Sequence, residues 1–168
     1  GLIIRGAAAA EGAAIRIAFA SGGRIEQCAV SQSMNGIEII SSRDIEVTGC
    51  VLYVNAVSLR VIGETSEEYR HTIDRTNTAN NRPILYVYGA DGTTIEGEAA
   101  AHITVAGSRN VTVTGNELVN ADGIQLAFVT DSVVSKNAAF RTSPVLTEHG
   151  IFLFRSDGNT VEGNSLRN

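Results

Sequence analysis

Residues 101–116, AHITVAGSRNVTVTGN, and 122–137, DGIQLAFVTDSVVSKN, repeat one pattern. Each opens with apolar residues at alternating positions, turns at a small or polar corner, adds a second short apolar strand and closes on Asn. The pattern returns at 13–28 (AAIRIAFASGGRIEQC), 35–50 (NGIEIISSRDIEVTGC) and 149–164 (HGIFLFRSDGNTVEGN). Its leading apolar positions are Ile15, Ile37, Leu59, Leu85, Ile103, Ile124 and Ile151, three of the six intervals being 21 or 22 residues. Their partners two residues on are Ile17, Ile39, Val61, Val87, Val105, Leu126 and Leu153.

Alternation with period two over four or five residues is a strand signal, because successive side chains point to opposite faces. Strands that recur at a short fixed period, with no helices between them, bury their inward faces only by stacking turn on turn. The chain therefore reads as all-β, a single-stranded right-handed parallel β-helix of about seven coils, with equivalent aliphatic side chains piled into one continuous interior stripe. Leucine-rich repeats share the period but need LxxLxLxxN, which is missing, and a β-sandwich would show hairpin turns. Asn116, Asn137 and Asn164 each stand three residues after an inward Val and read as a structural ladder at a bend, bonding to one another and to turn backbone. Cys28 and Cys50 fill the same slot in earlier coils. They stack on neighbouring turns as buried free thiols, a disulfide or a metal site.

Residues 64–82, ETSEEYRHTIDRTNTANNR, interrupt the repeat. Thr65 or Ser66 is placed to cap a short helix with Glu67 and Glu68 in its first turn. The polar run Thr76 to Arg82 reads as loop before Pro83 opens the next strand. Such an insertion projects from one face as a binding loop or closes over the core as a clasp. Both ends look cut within the solenoid, so the 168 residues are expected to be one β-helix domain, a fragment or module of a larger exported protein, with end-to-end self-association at its open ends.

Thirteen basic and eighteen acidic residues give a net charge of −5, which argues against a nucleic-acid surface. No apolar run approaches the roughly 20 residues of a membrane span. Seventeen Gly, two Pro and 43% hydrophobic residues describe a folded chain rich in small side chains.

The GI-x-L…N-x-V-x-G-N repeat resembles that of the NosD-like family, periplasmic copper-binding or carbohydrate-binding and sugar-hydrolase β-helices of the pectate-lyase-like kind. The stretch 69–89, YRHTIDRTNTANNRPILYVYG, resembles a Y-x-H-x-I-D-x-S-N-T-x-N-G-K-P-x-Y-Y motif of NosD-like surface proteins from methanogenic archaea. Thr76, Asn81 and Arg82 stand where Ser, Gly and Lys are usual. The resemblance implies an extracellular, cell-surface or periplasmic β-helix whose relatives bind or cleave sugars or assist copper delivery. Copper enters by this resemblance only, and no metal site is assigned.

Fold kinship does not set chemistry, so the outward positions have to carry it. Asp122 and His149 head equivalent strands in neighbouring coils, close to Arg141 and Glu148, and form the candidate acid–base set. A turn-capping Asp and a surface His are the alternative reading. Phe152 and Phe154 point outward if Ile151 and Leu153 point inward, as do Tyr86 and Tyr88. With Gln125 and His102 these make a candidate platform for a polysaccharide or cell-surface glycan. Alternatively the aromatics pack the loops down. Soft copper donors are scarce: the three His and one Met are widely separated. The expected function is a non-catalytic surface or periplasmic module, carbohydrate-binding or structural. A polysaccharide hydrolase, lyase or epimerase and a copper-delivery accessory are the alternatives.

Overall fold

The structure, a computed structural model, describes residues 3–5, 12–140 and 150–167. It is all β apart from one short 3-10 turn, and its strands wind as a parallel β-helix. After β1 (Ile3–Arg5), three turns follow, each of one long and two short strands. They are β2 (Ala13–Ala18), β3 (Arg24–Glu26) and β4 (Ala29–Ser31); β5 (Asn35–Ile40), β6 (Glu46–Thr48) and β7 (Val51–Tyr53); and β8 (Val57–Ile62), β9 (Thr72–Ile73) and β10 (Thr78–Ala79). Equivalent strands pair in parallel, Ile15 against Ile37 and Ile37 against Leu59.

The chain then continues through β11 (Arg82–Tyr88), β12 (Thr94–Glu96), β13 (Ala99–Ala106), β14 (Thr112–Thr114) and β15 (Glu117–Ala127). It ends with β16 (Val133–Ser135), β17 (Ala138–Phe140), β18 (Ile151–Phe154), β19 (Thr160–Glu162) and β20 (Ser165–Arg167). Strands β13 and β15 run through the corner between two faces, so each serves first as a short strand and then as a long one. Leu85, Ile103, Ile124 and Ile151 align across β11, β13, β15 and β18.

The expected single interior stripe is not what forms. Ile15, Ile37 and Leu59 lie in the three-stranded sheet β2-β5-β8, whereas Leu85, Ile103, Ile124 and Ile151 lie in the ten-stranded sheet. The cause sits at Asn80 and Asn81. Both have positive φ, 48° and 65°, and they join β10 to β11 as a two-residue antiparallel hairpin, with Ala79 paired to Arg82 and Thr78 to Pro83. Asn is among the few side chains that tolerate this region, which the tight hairpin turn needs at both positions. The run Thr76 to Arg82, expected as loop, is thus a strand and a turn that reverse the chain. Because β11 enters in the opposite direction, the next long strand cannot be laid in parallel on β8. A second stack begins instead.

Two cores result. One holds Ile37, Ile39, Ile45, Val47, Leu52, Leu59 and Val61; the other holds Ile103, Val105, Val113, Leu118, Ile124 and Leu126. Ile84, Ala106 and Ala127 belong to the second stack's strands yet are buried in the first core, with Tyr86 and Tyr88 packed beside them. The face of the second stack that points away from its own interior therefore closes the last turn of the first. The insertion fills the remaining gap: a 3-10 turn over Ser66–Tyr69 follows Thr65, and Glu68 accepts the Glu64 and Thr65 N–H groups. Tyr69 is buried to 2% exposure. The tight approach leaves no room at Gly107, where a Cβ would come within 2.6 Å of the Ser66 hydroxyl.

Polar groups at the bends are paired. Asn116 Nδ2 donates to Asn137 Oδ1 at 2.9 Å, Asn137 Nδ2 to Asn164 Oδ1 at 2.9 Å, and the backbone N–H of each preceding turn bonds to the next Asn. Asn77 performs the same task in the first stack, accepting from Cys50 N and donating to Val47 O. It stands four rather than three residues past its inward neighbour Ile73, and that extra residue hides it from the repeat.

Two outcomes check this arrangement. Ile84→Ala, at a position that a lone solenoid would expose, should cost roughly 2–5 kcal/mol in urea unfolding, as for a buried Ile. Asn81→Gly should raise stability by a few tenths to about 1 kcal/mol, because Gly meets the positive φ without strain, while Asn81→Val should lower it by about 1 kcal/mol or more.

Candidate functional site

Where the second stack meets β8, a cleft of about 280 Å³ opens. Leu59 to Glu64 form one wall; His102, Asp122 to Gln125, Phe152 and Phe154 form the other, with Tyr69 also in the lining. Strand β8 is the last of its sheet, so its outer edge has no strand to pair with. An unpaired buried edge leaves N–H and C=O groups that need partners. Asp122 supplies them: its carboxylate accepts from Ser58 N at 2.9 and 3.0 Å and from Leu59 N at 3.0 Å. Gln125 Nε2 donates to Val61 O at 3.4 Å.

Four of the six candidate sugar-platform residues meet in this cleft: His102, Gln125, Phe152 and Phe154. Tyr86 and Tyr88 do not. They pack on the first core, and the Tyr86 hydroxyl donates to Tyr69 O at 2.6 Å. Burial pushes the Tyr86 phenol well above its ordinary value. In the candidate acid–base set only Asp122 is described; Arg141, Glu148 and His149 lie outside the described residues. The cleft adds residues that the repeat did not single out, Arg60, Glu64 and Tyr69. Arg60 sits at an outward repeat position and so had a signal; Glu64 and Tyr69 enter only through the folding of the insertion.

Aromatic rings form the cleft's apolar side. Phe152 and Phe154 stack with centroids 6.4 Å apart, Phe154 meets Phe128 edge-on at 5.6 Å, and Phe128 meets Tyr69 at 5.9 Å. Phe152 is 38% exposed. The Arg155 guanidinium lies 5.3 Å from the Phe154 ring centre and pairs with Glu64 at 2.7 Å, tying the insertion to the second stack. Arg60 pairs with Glu38, which also meets Arg16; Glu38 itself is only 1% exposed. Two guanidinium groups compensate that buried carboxylate, the condition for keeping a charge out of water.

His102 is 5% exposed and lies deep in the same wall. Its Nε2 meets the Thr104 hydroxyl, and its Nδ1 stands 3.5 Å from Asp122 Oδ2 without a hydrogen bond. His71, from the 69–89 motif, behaves differently. Its Nδ1 accepts from Ile45 N at 3.3 Å and its Nε2–H donates to Glu68 O at 3.0 Å, so the ring holds the insertion down.

Burial lowers the His71 pKa below its ordinary value, more than the Glu68 carbonyl bond and the Asp44 charge raise it. The unfolded chain therefore takes up the extra proton first. Stability from neutral His71 is complete above about pH 6.5 and is lost as pH falls from there through the lower folded-state value. Urea midpoints should fall between pH 7.5 and 5.5, and His71→Gln should show a shallower decline.

Among the described residues, no three His, Cys, Asp or Glu side chains gather as a metal cluster. Cys28 and Cys50 are free and buried, and burial pushes the Cys50 thiol up, away from the thiolate that a soft metal requires. Both ring nitrogens of His71 are engaged. No helix among the described residues is long and apolar enough to cross a membrane. No curated protein and no solved structure matches the chain. A family model described as periplasmic copper-binding protein (NosD) matches residues 3–168. The described donors do not assemble into a site that fits the copper of that description. The β-helix and a match over nearly every residue nevertheless agree, and the chain belongs to the NosD family.

Proposed function

We propose that this chain is a non-catalytic β-helix module that holds a saccharide in the cleft between its two stacks, in the periplasm that its family's description names. The observation that carries the reading is the composition of that cleft: the partly exposed Phe152 ring backed by Phe154, facing the polar side chains of Arg60, Glu64, Asp122 and Gln125. A sugar ring has an apolar face that lies on an aromatic surface and a rim of hydroxyls that need donors and acceptors. About 280 Å³ suits one or two sugar units better than a long chain.

The cleft's carboxylates favour binding over turnover. Asp122 spends both oxygens on the backbone of β8, and Glu64 is held by Arg155. General acid–base cleavage needs two carboxyl groups free to exchange protons at the scissile bond. A glycan array followed by a reducing-end assay tests the reading, with retention of a glycan and no product as the expected result. Absence of retention on every glycan, or release of new reducing ends, overturns it. Phe152→Ala should weaken binding about tenfold, a loss of roughly 1.4 kcal/mol, and change stability by less than about 1 kcal/mol.

A further inference from the structure

The bend slot that Asn116, Asn137 and Asn164 fill in the second stack holds Cys28 and Cys50 in the first two turns of the first stack. Ala29 pairs with Val51 in parallel register, and Val51 N donates to Cys28 O at 2.9 Å, so the two cysteines are stacked one above the other. Each follows a residue in the left-handed region, Gln27 at φ 50° and Gly49 at φ 64°, so the two bends send their side chains the same way. The Cys28 N–H and the Cys28 thiol both act on the Cys50 sulfur. An Asn in this slot forms a rung: Asn137 Oδ1 accepts Asn116 N at 3.0 Å and Asn116 Nδ2 at 2.9 Å. The thiols are weak donors and reach only backbone carbonyls, Cys28 that of Glu26 at 3.3 Å and Cys50 those of Thr48 and Ile25 at 3.6 and 3.7 Å. Access to the two differs. Cys28 is 8% exposed and lines a shallow groove with Arg16, Arg24 and Glu26, whereas Cys50 is 0% exposed.

We propose that Cys28 and Cys50 are a disulfide-forming pair, closed by exchange with a disulfide-carrying protein of the periplasm, and that the bond replaces the Asn rung these two turns lack. The periplasmic setting is shared with the reading above; the saccharide is not needed. Cα atoms stacked about 4.8 Å apart lie within the roughly 4.4–6.8 Å that a disulfide spans, and the Cβ atoms have to close by about half an ångström. The periplasm is an oxidising compartment in which such pairs form and persist. Cys28 is the sulfur a donor can reach. Its thiol loses a proton, and the thiolate attacks one sulfur of the donor disulfide, whose other sulfur leaves and takes up a proton. Cys50, deprotonated in turn, attacks the Cys28 sulfur of this mixed disulfide and displaces the donor's first sulfur. Two electrons and two protons pass from the pair to the donor, which ends as a dithiol. Burial pushes the Cys50 thiol up, which suits it to the second, intramolecular attack rather than the first.

Oxidised glutathione serves as the probe donor, added to the folded, fully reduced chain at about pH 8.5, near the ordinary cysteine pKa. The reaction is quenched with acid, and the protein is unfolded, alkylated and weighed intact. The chain has two cysteines, so a bond within one molecule joins Cys28 to Cys50. The expected product is a monomer lighter by two hydrogens, with no alkyl group and no glutathione. Its Tm should stand about 5 °C or more above that of the reduced protein, and a reductant should reverse the shift. Cys50→Ser should stop at a glutathione adduct on Cys28, and Cys28→Ser should take up glutathione at least tenfold more slowly. Two alkylated thiols, a lasting glutathione adduct on the unaltered chain or a disulfide-linked dimer overturns the pairing. Equal rates in the two variants overturn the order of attack. If Cys50→Ser does not fold, the mass and Tm of the unaltered chain decide the pairing, and the slow uptake by Cys28→Ser decides the order. Glycan retention in the cleft is a separate readout, so the two proposals fail independently.

Discussion

A strand edge with no successor has to find hydrogen-bond partners, and the molecule is organised around how β8 finds them. In an uninterrupted solenoid the next turn would supply a backbone. Here Asp122 and Gln125, side chains from a different stack, accept from Ser58 and Leu59 and donate to Val61. Side chains meet an edge at a few points, where a strand would meet it along its length. The space left between those points is the cleft, so the cleft follows from the end of the first stack.

The same substitution of side chains for strands explains why charged groups lie so deep. Glu38 is buried with Arg16 and Arg60 around it, and Asp122 is buried with backbone N–H groups around it. Each is compensated differently, one by opposite charge and one by dipoles. His71 and His102 make a parallel contrast. His71 has a partner on each ring nitrogen and acts as a fastening, whereas His102 has one nitrogen open beside a carboxylate.

Membership of the NosD family and the chemistry of this cleft answer different questions. The family match follows the repeat, and the repeat encodes bends, inward aliphatics and Asn ladders. The proposed saccharide cleft depends on residues such as Phe152, Gln125 and Arg60 at outward positions, where the repeat places no demand. A shared solenoid therefore leaves room for different ligands on different members.

From its sequence the chain declares its parallel turns, its inward residues and the Asn116–Asn137–Asn164 positions, because alternation and period are local properties of a strand and its stacking. A short helix start at Thr65 or Ser66 was legible too, since a cap and its first-turn acids lie within four residues, and the structure sets it at Thr65. What tertiary structure alone decided is the break into two stacks. Asn80 and Asn81 read as polar loop until their positive φ values and the pairing of Ala79 with Arg82 show a reversal. That one turn buried Ile84, moved Tyr86 and Tyr88 from an exposed face into a joint, and brought Asp122 to β8 across 64 residues of chain. The repeat shows which way each side chain points within its own turn; what it points at depends on where the neighbouring stack is laid.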